Sequence, residues 1–118
     1  MADLHDELFA LSPGVRYVAL AAGQHVEMRS RPNLEAASAS DSDRYEELLV
    51  NPTLLTLAKQ RGEIDCGGLR YIVVGYGNFH QLVVPLAQGQ VSVAFDLDTD
   101  PLAHLPALLE LLARRGET

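Results

Sequence analysis

Apolar residues recur at helical spacing at Leu4, Leu8 and Leu11, with Phe9 adjoining, and Asp3 stands where an N-cap would. Ser12-Pro13-Gly14 stops that short helix. Val15 to Ala21 is β-prone and apolar on both faces except at Arg16, the pattern of a central strand. Ala22-Gly23-Gln24 turns the chain into His25-Val26-Glu27-Met28-Arg29, where apolar and charged residues alternate as in a strand with one solvated face. Residues 14 to 29 are therefore a predicted hairpin. From Ser30 to Ser42 the chain is rich in Ser, Ala, Asn and Pro without periodicity, which predicts a loop.

Asp43 and Glu46 have capping-box spacing at the head of a helical stretch running to about Arg61, and Gly62 is placed to end it. Pro52 interrupts this stretch. At about 100° per residue, Tyr45, Leu48, Leu49 and Pro52 lie on one side and Leu54, Leu57 and Ala58 on the other. A continuous helix would carry two apolar faces. A kink or break, with Asn51 as N-cap and Pro52 in the first turn, re-phases both sets onto one core and avoids the roughly 3 kcal/mol cost of an interior proline. The kink or break is the favoured reading.

The strongest β signal comes next. Leu69-Arg70-Tyr71-Ile72-Val73-Val74 and Phe79-His80-Gln81-Leu82-Val83-Val84-Pro85 flank Gly75-Tyr76-Gly77-Asn78 and predict a hairpin. Gln88-Gly89 then turns the chain into Gln90 to Phe95, with Val91, Val93 and Phe95 on one face and Ser92 and Ala94 on the other. Asp100-Pro101 marks a helix start. One turn precedes a regular helix from about Pro106 to Arg114, with Leu105, Leu108, Leu109 and Leu112 inward and Arg114 and Arg115 at its negative end.

This order, with a hairpin, a long middle helix, a three-strand meander and a closing helix, resembles the roadblock/dynein light chain family, in a bacterial branch. The segments that carry it are Val15 to Gly23, Leu69 to Val74, Gln81 to Leu86 and Val91 to Phe95. The resemblance implies an α+β, profilin-like fold. A single five-stranded antiparallel sheet in the order 2-1-5-4-3 would carry the long helix on one face and the terminal helices on the other. It also implies homodimers that pair the third strand at the sheet edge and set the middle helices side by side. Independently, an edge strand as apolar as residues 69 to 74 invites pairing, and a symmetric dimer resolves that hazard. The expected interface comprises Tyr45, Leu48, Leu49, Leu55, Leu69, Arg70, Tyr71, Ile72 and Val73.

Composition narrows the function. The 118 residues make one expected domain, residues 1–118, large enough for its own core. A net charge of −7, with nine cations in no basic run, excludes nucleic acid and anionic membranes as partners. The single Cys66 excludes an intramolecular disulfide or a multi-cysteine zinc site and suits a reducing cytoplasm. No apolar run approaches the ~20 residues of a membrane span. The acidic start at Met1 to Glu7 lacks the cationic region of a signal peptide.

Candidate chemistry is sparse, and no catalytic, cofactor or metal residue is assigned. Asp96-Leu97-Asp98-Thr99-Asp100 spaces carboxylates as a calcium loop does, but Pro101 stands where such a loop needs Gly and Ala107 where it needs Glu. The plainer reading is a strand end, a turn and a helix cap. His5, His25, His80 and His104 fall one per element, without metal-pair spacing. Cys66 is either a redox-sensitive thiol or a half-buried structural one. Arg70 either meets Glu63 or Asp65 of a partner copy or points to water. Asp41, Asp43, Glu46 and Glu47 are favourable charge at a helix N-terminus or a docking surface for a basic partner. By resemblance, the expected function is a non-enzymatic homodimeric adaptor or regulator of a small Ras-like GTPase. The alternative is a small-ligand sensor or an accessory subunit of a metabolic complex.

Overall fold

The computed structural model describes residues 3–32 and 40–117. Asp3 caps helix α1 (Leu4–Phe9), accepting the Asp6 backbone N–H while the Asp6 side chain accepts that of Asp3. Strand β1 (Val15–Ala22) pairs with β2 (His25–Ser30) through a turn at Gly23 and Gln24. The later strands are β3 (Ile72–Gly75), β4 (His80–Leu86) and β5 (Gly89–Phe95). All pairings are antiparallel, and the sheet order is β2-β1-β5-β4-β3, the expected one. β1 and β5 are central, which is why both their faces are apolar or buried.

The two faces divide cleanly. Val18, Leu82, Val84, Val91, Val93 and Phe95 pack with Leu4 and Leu8 of α1 and with Leu105, Leu108, Leu111 and Leu112 of α4 (Leu105–Arg114). This is the main core. Asp100 caps a preceding 3₁₀ turn (Pro101–His104) by accepting the Leu102 N–H, so the two prolines start two successive turns as their spacing predicts. Leu111 is buried in the place expected for Leu109, which is half-buried. A bulge between Val15 and Tyr17 makes Arg16 an extra residue and flips the phase of β1. Tyr17, Ala19 and Ala94 therefore face the opposite side, with Met28 and Phe79 against them.

That opposite face carries the middle helix, which is continuous: α2 (Ser40–Tyr45), a π-helical turn (Glu46–Val50) and α3 (Asn51–Asp65). Of the kink or break favoured at Asn51, the break does not occur. Asn51 is helical (φ −61°, ψ −47°), and its N–H reaches back five residues to the Glu46 carbonyl. The wide turn absorbs Pro52 without ending the helix. Asp43 lies inside α2 and is no cap, and Gly62 is followed by three more helical residues. Gly62 instead lets the chain return: the Gly68 carbonyl sits 2.9 Å from where a Cβ would stand, and the Cys66 and Gly68 N–H groups both donate to the Gly62 carbonyl. The predicted loop from Ser30 to Ser42 falls mainly on residues 33–39, outside the described residues. β3 is shorter than predicted, because Leu69, Arg70 and Tyr71 precede the strand.

Candidate functional site

The middle helix buries two polar side chains, Glu47 and Asn51, and leaves four large apolar ones in solvent. Its buried stripe is Glu47, Asn51, Leu55 and Gly62. Neither leucine set read from the sequence is that stripe: Leu48 and Leu54 flank it half-buried, and Leu49 and Leu57 point outward.

Glu47 is fully buried, and four side-chain donors converge on its carboxylate. Ser92 Oγ donates to Oε1 at 2.7 Å, while the Tyr17 hydroxyl, Asn51 Nδ2 (3.2 Å) and Gln81 Nε2 (3.3 Å) reach Oε2. Asn51 Nδ2 also bonds Ser92 Oγ at 3.0 Å. Burial and the Glu47 carboxylate push the Tyr17 hydroxyl far above the usual tyrosine range. The π turn supplies one more link. Pro52 stands five residues after Glu47 and has no N–H to give its carbonyl; Gln90 Nε2 donates to that carbonyl at 3.0 Å. Only Asn51 Oδ1 and Gln81 Oε1 lack a partner among the buried side-chain atoms of the described residues.

On the outer side Tyr45 (60% exposed), Leu49 (55%), Leu57 (61%) and Ile64 (75%) face solvent. β3 forms one edge of the sheet, with Val73 exposed and Ile72 half-buried. Of the other expected interface residues, Leu48 and Leu69 are half-buried, and Tyr71 is half-buried against the main core. Arg70 is exposed with its guanidinium 5.5 Å from the Tyr71 ring centre. Leu55 is a correction: it is buried on the sheet side of α3 and has no outward surface.

The acidic cluster also separates. Glu47 is the core of the polar network and not a surface charge. Glu46 is half-buried and accepts the Tyr76 hydroxyl on both oxygens, at 2.8 and 2.9 Å, joining the helix to the β3–β4 turn. Burial raises its pKa against that hydrogen bond, and burial together with Glu46 pushes the Tyr76 hydroxyl up to about 12. The side chain of Asp41 lies outside the described residues.

The same arrangement of sheet and helices occurs in proteins of known structure. The chain superposes on the roadblock/LC7 domain from Streptomyces avermitilis with a TM-score of 0.71 at 16% identity, covering 96% of this chain and 94% of that one. It matches MglB in a tetrameric arrangement (TM-score 0.70, 13% identity, 94% and 80% covered). The gliding protein MglB from Thermus thermophilus is a third (0.65, 20%, 93% and 83%). The fold is roadblock-like. No protein-family profile matches the sequence, and no curated protein does. At these identities the roadblock-like likeness is one of backbone architecture.

The other candidate chemistry stays dispersed around the roadblock-like sheet. Asp96 is held by Arg31 (3.0 and 3.2 Å) and Arg16 (3.3 Å), and Asp100 is the helix cap, so both carboxylates have structural partners. Arg31, with Arg16, holds the Asp96 carboxyl below its usual range. His5 Nε2 meets the Glu27 carbonyl, His25 pairs with Glu27, His80 meets the Leu97 carbonyl and His104 stacks on Phe95. Among the described residues no group of three His, Cys, Asp or Glu side chains is placed to hold a metal ion. Cys66 is exposed, not half-buried, and its thiol lies 3.3 Å from Asp65 Oδ1.

Proposed function

We propose that this chain is a non-enzymatic adaptor or regulator that acts as a homodimer in the cytoplasm, with a small Ras-like GTPase as its partner. One observation carries the reading: on a roadblock-like fold, the middle helix buries Glu47 and Asn51 and leaves Tyr45, Leu49, Leu57 and Ile64 in water. A helix that turned its own leucines inward would need no partner. One that spends its inward stripe on a polar network leaves apolar area for another chain to cover. A second copy fits best, because β3 is an edge of the sheet and an added antiparallel strand would complete its backbone hydrogen bonds. The tetrameric arrangement of the MglB neighbour is consistent with self-association in this fold.

The GTPase partner is tested by titrating a Ras-like GTPase encoded near this chain, loaded with GDP or with a non-hydrolysable GTP analogue. Binding that depends on the nucleotide is the expected result, and no binding in either state leaves the partner assignment without support. A second reading, a small-ligand sensor or accessory subunit, is favoured by one specific feature: a groove beside Glu46, about 450 Å³ in volume, lined by polar and aromatic side chains.

A further inference from the structure

The groove lies between the middle helix and the Tyr76–Phe79 turn of the β3–β4 hairpin. Asp43, Tyr45, Glu46, Tyr76, Phe79 and Gln81 form its walls. Among its described lining residues the charged groups are the carboxylates of Asp43 and Glu46. Glu46 receives only the Tyr76 hydroxyl from the hydrogen bonds described above, which leaves lone pairs for further donors. Gln81 is fully buried, its amide nitrogen is committed to Glu47, and its Oε1 has no donor among the described residues. An acceptor in that state marks a place for an incoming donor. The aromatic wall is suited to a planar cation: the Tyr76 and Phe79 rings lie 5.2 Å apart, and Phe79 already receives the Arg16 guanidinium at 5.7 Å from its centre. Arg16 is itself bound to Asp96, which offsets its charge.

We propose that this groove binds a guanidinium group, stacked on the aromatic wall and donating to Glu46 and to Gln81 Oε1. A guanidinium has five donors, no acceptor and a flat face, which matches a lining of carboxylates, an unmet carbonyl oxygen and rings. An ammonium ion lacks the flat face, and an anion would meet two carboxylates. The assignment rests on the ligand reading above and gives it a chemical class; Tyr45 is the wall residue it shares with the proposed dimer surface.

The test is amide-resolved NMR titration of the full chain with agmatine, with a short blocked peptide containing one arginine, and with the same peptide carrying citrulline. Saturable shifts at residues 46, 76–79 and 81 are expected for both guanidinium probes, with Kd on the order of 1 mM or tighter. Glu46→Gln is expected to weaken both about tenfold. Tighter binding of the peptide would mark a partner's arginine as the natural source, and tighter binding of agmatine a free small molecule. Equal binding of the citrulline peptide overturns the proposal, and that comparison needs no variant if Glu46→Gln does not fold. Shifts at these residues with a sugar or an anion but not with agmatine would keep a ligand site and overturn the guanidinium assignment. No response to any probe overturns both.

Discussion

At Glu47 four donors converge on one carboxylate, so glutamine in its place sets an amide donor among donors. Left buried with a mismatched partner set, the site is expected to lose about 2–3 kcal/mol, read as a lower urea midpoint at unchanged slope. Exposed Glu63→Gln is the control, with a change within about 0.5 kcal/mol. Equal midpoints for the two variants would mean that the network does not hold the helix. A second residue-scale effect is acid sensitivity at the first cap. Arg29 bonds Asp3 at 2.9 Å and, with the Asp6 N–H, lowers its pKa from 3.8 to about 2. A depressed carboxylate contributes stability that is complete above 3.8 and lost as pH falls through about 2. Asp3 is exposed, so the effect is modest. Asp3→Asn should flatten the stability profile across that window, and a profile identical to that of the parent would refute the cap's part in it.

At the scale of elements, the strands were legible because their signals are local. Val91, Val93 and Phe95 alternate with Ser92 and Ala94, and turns at Gly23, Gly77-Asn78 and Gln88-Gly89 punctuate them. The middle helix was not, for two physical reasons. Hydropathy assigns leucines to the interior, whereas Glu47 and Asn51 are buried by partners contributed from β1, β4 and β5, tens of residues away. Pro52 predicts a break only where the helix has no other way to satisfy the freed carbonyl; the π turn and Gln90 provide one, and no local pattern announces either. The shortness of β3 is a further departure: Tyr71 packs against the main core, on the face that alternation from Val73 gives it, yet lies outside the strand. The first residue of β5 makes an element-scale test. A Cβ on Gly89 would stand 1.8 Å from the Ala21 carbonyl oxygen, where β5 begins beside β1, whereas one on Gly75 meets nothing within 4 Å. Gly89→Ala should cost about 1–3 kcal/mol or more, and Gly75→Ala much less. Thermal melts that rank the two the other way would contradict the described start of β5.

For the whole molecule, the two faces of the sheet have different work. The terminal-helix face holds the large apolar core, with Leu8, Leu82, Phe95, Leu108 and Leu112 fully buried. The other face holds a smaller cluster and the polar network, which fixes how the middle helix sits and thereby which residues it shows to solvent. That division leaves Tyr45, Leu49, Leu57 and Ile64 of the helix in solvent, with Leu55 buried on its inner side. We propose that a second copy covers this surface. Sedimentation equilibrium at tens of micromolar tests it most directly, on the parent chain and on the exposed-site variant Leu49→Asp. About twice the 12.8 kDa chain mass is expected for the parent, with a shift toward monomer for Leu49→Asp while its fold stays intact. A parent chain that sediments as a monomer would contradict it.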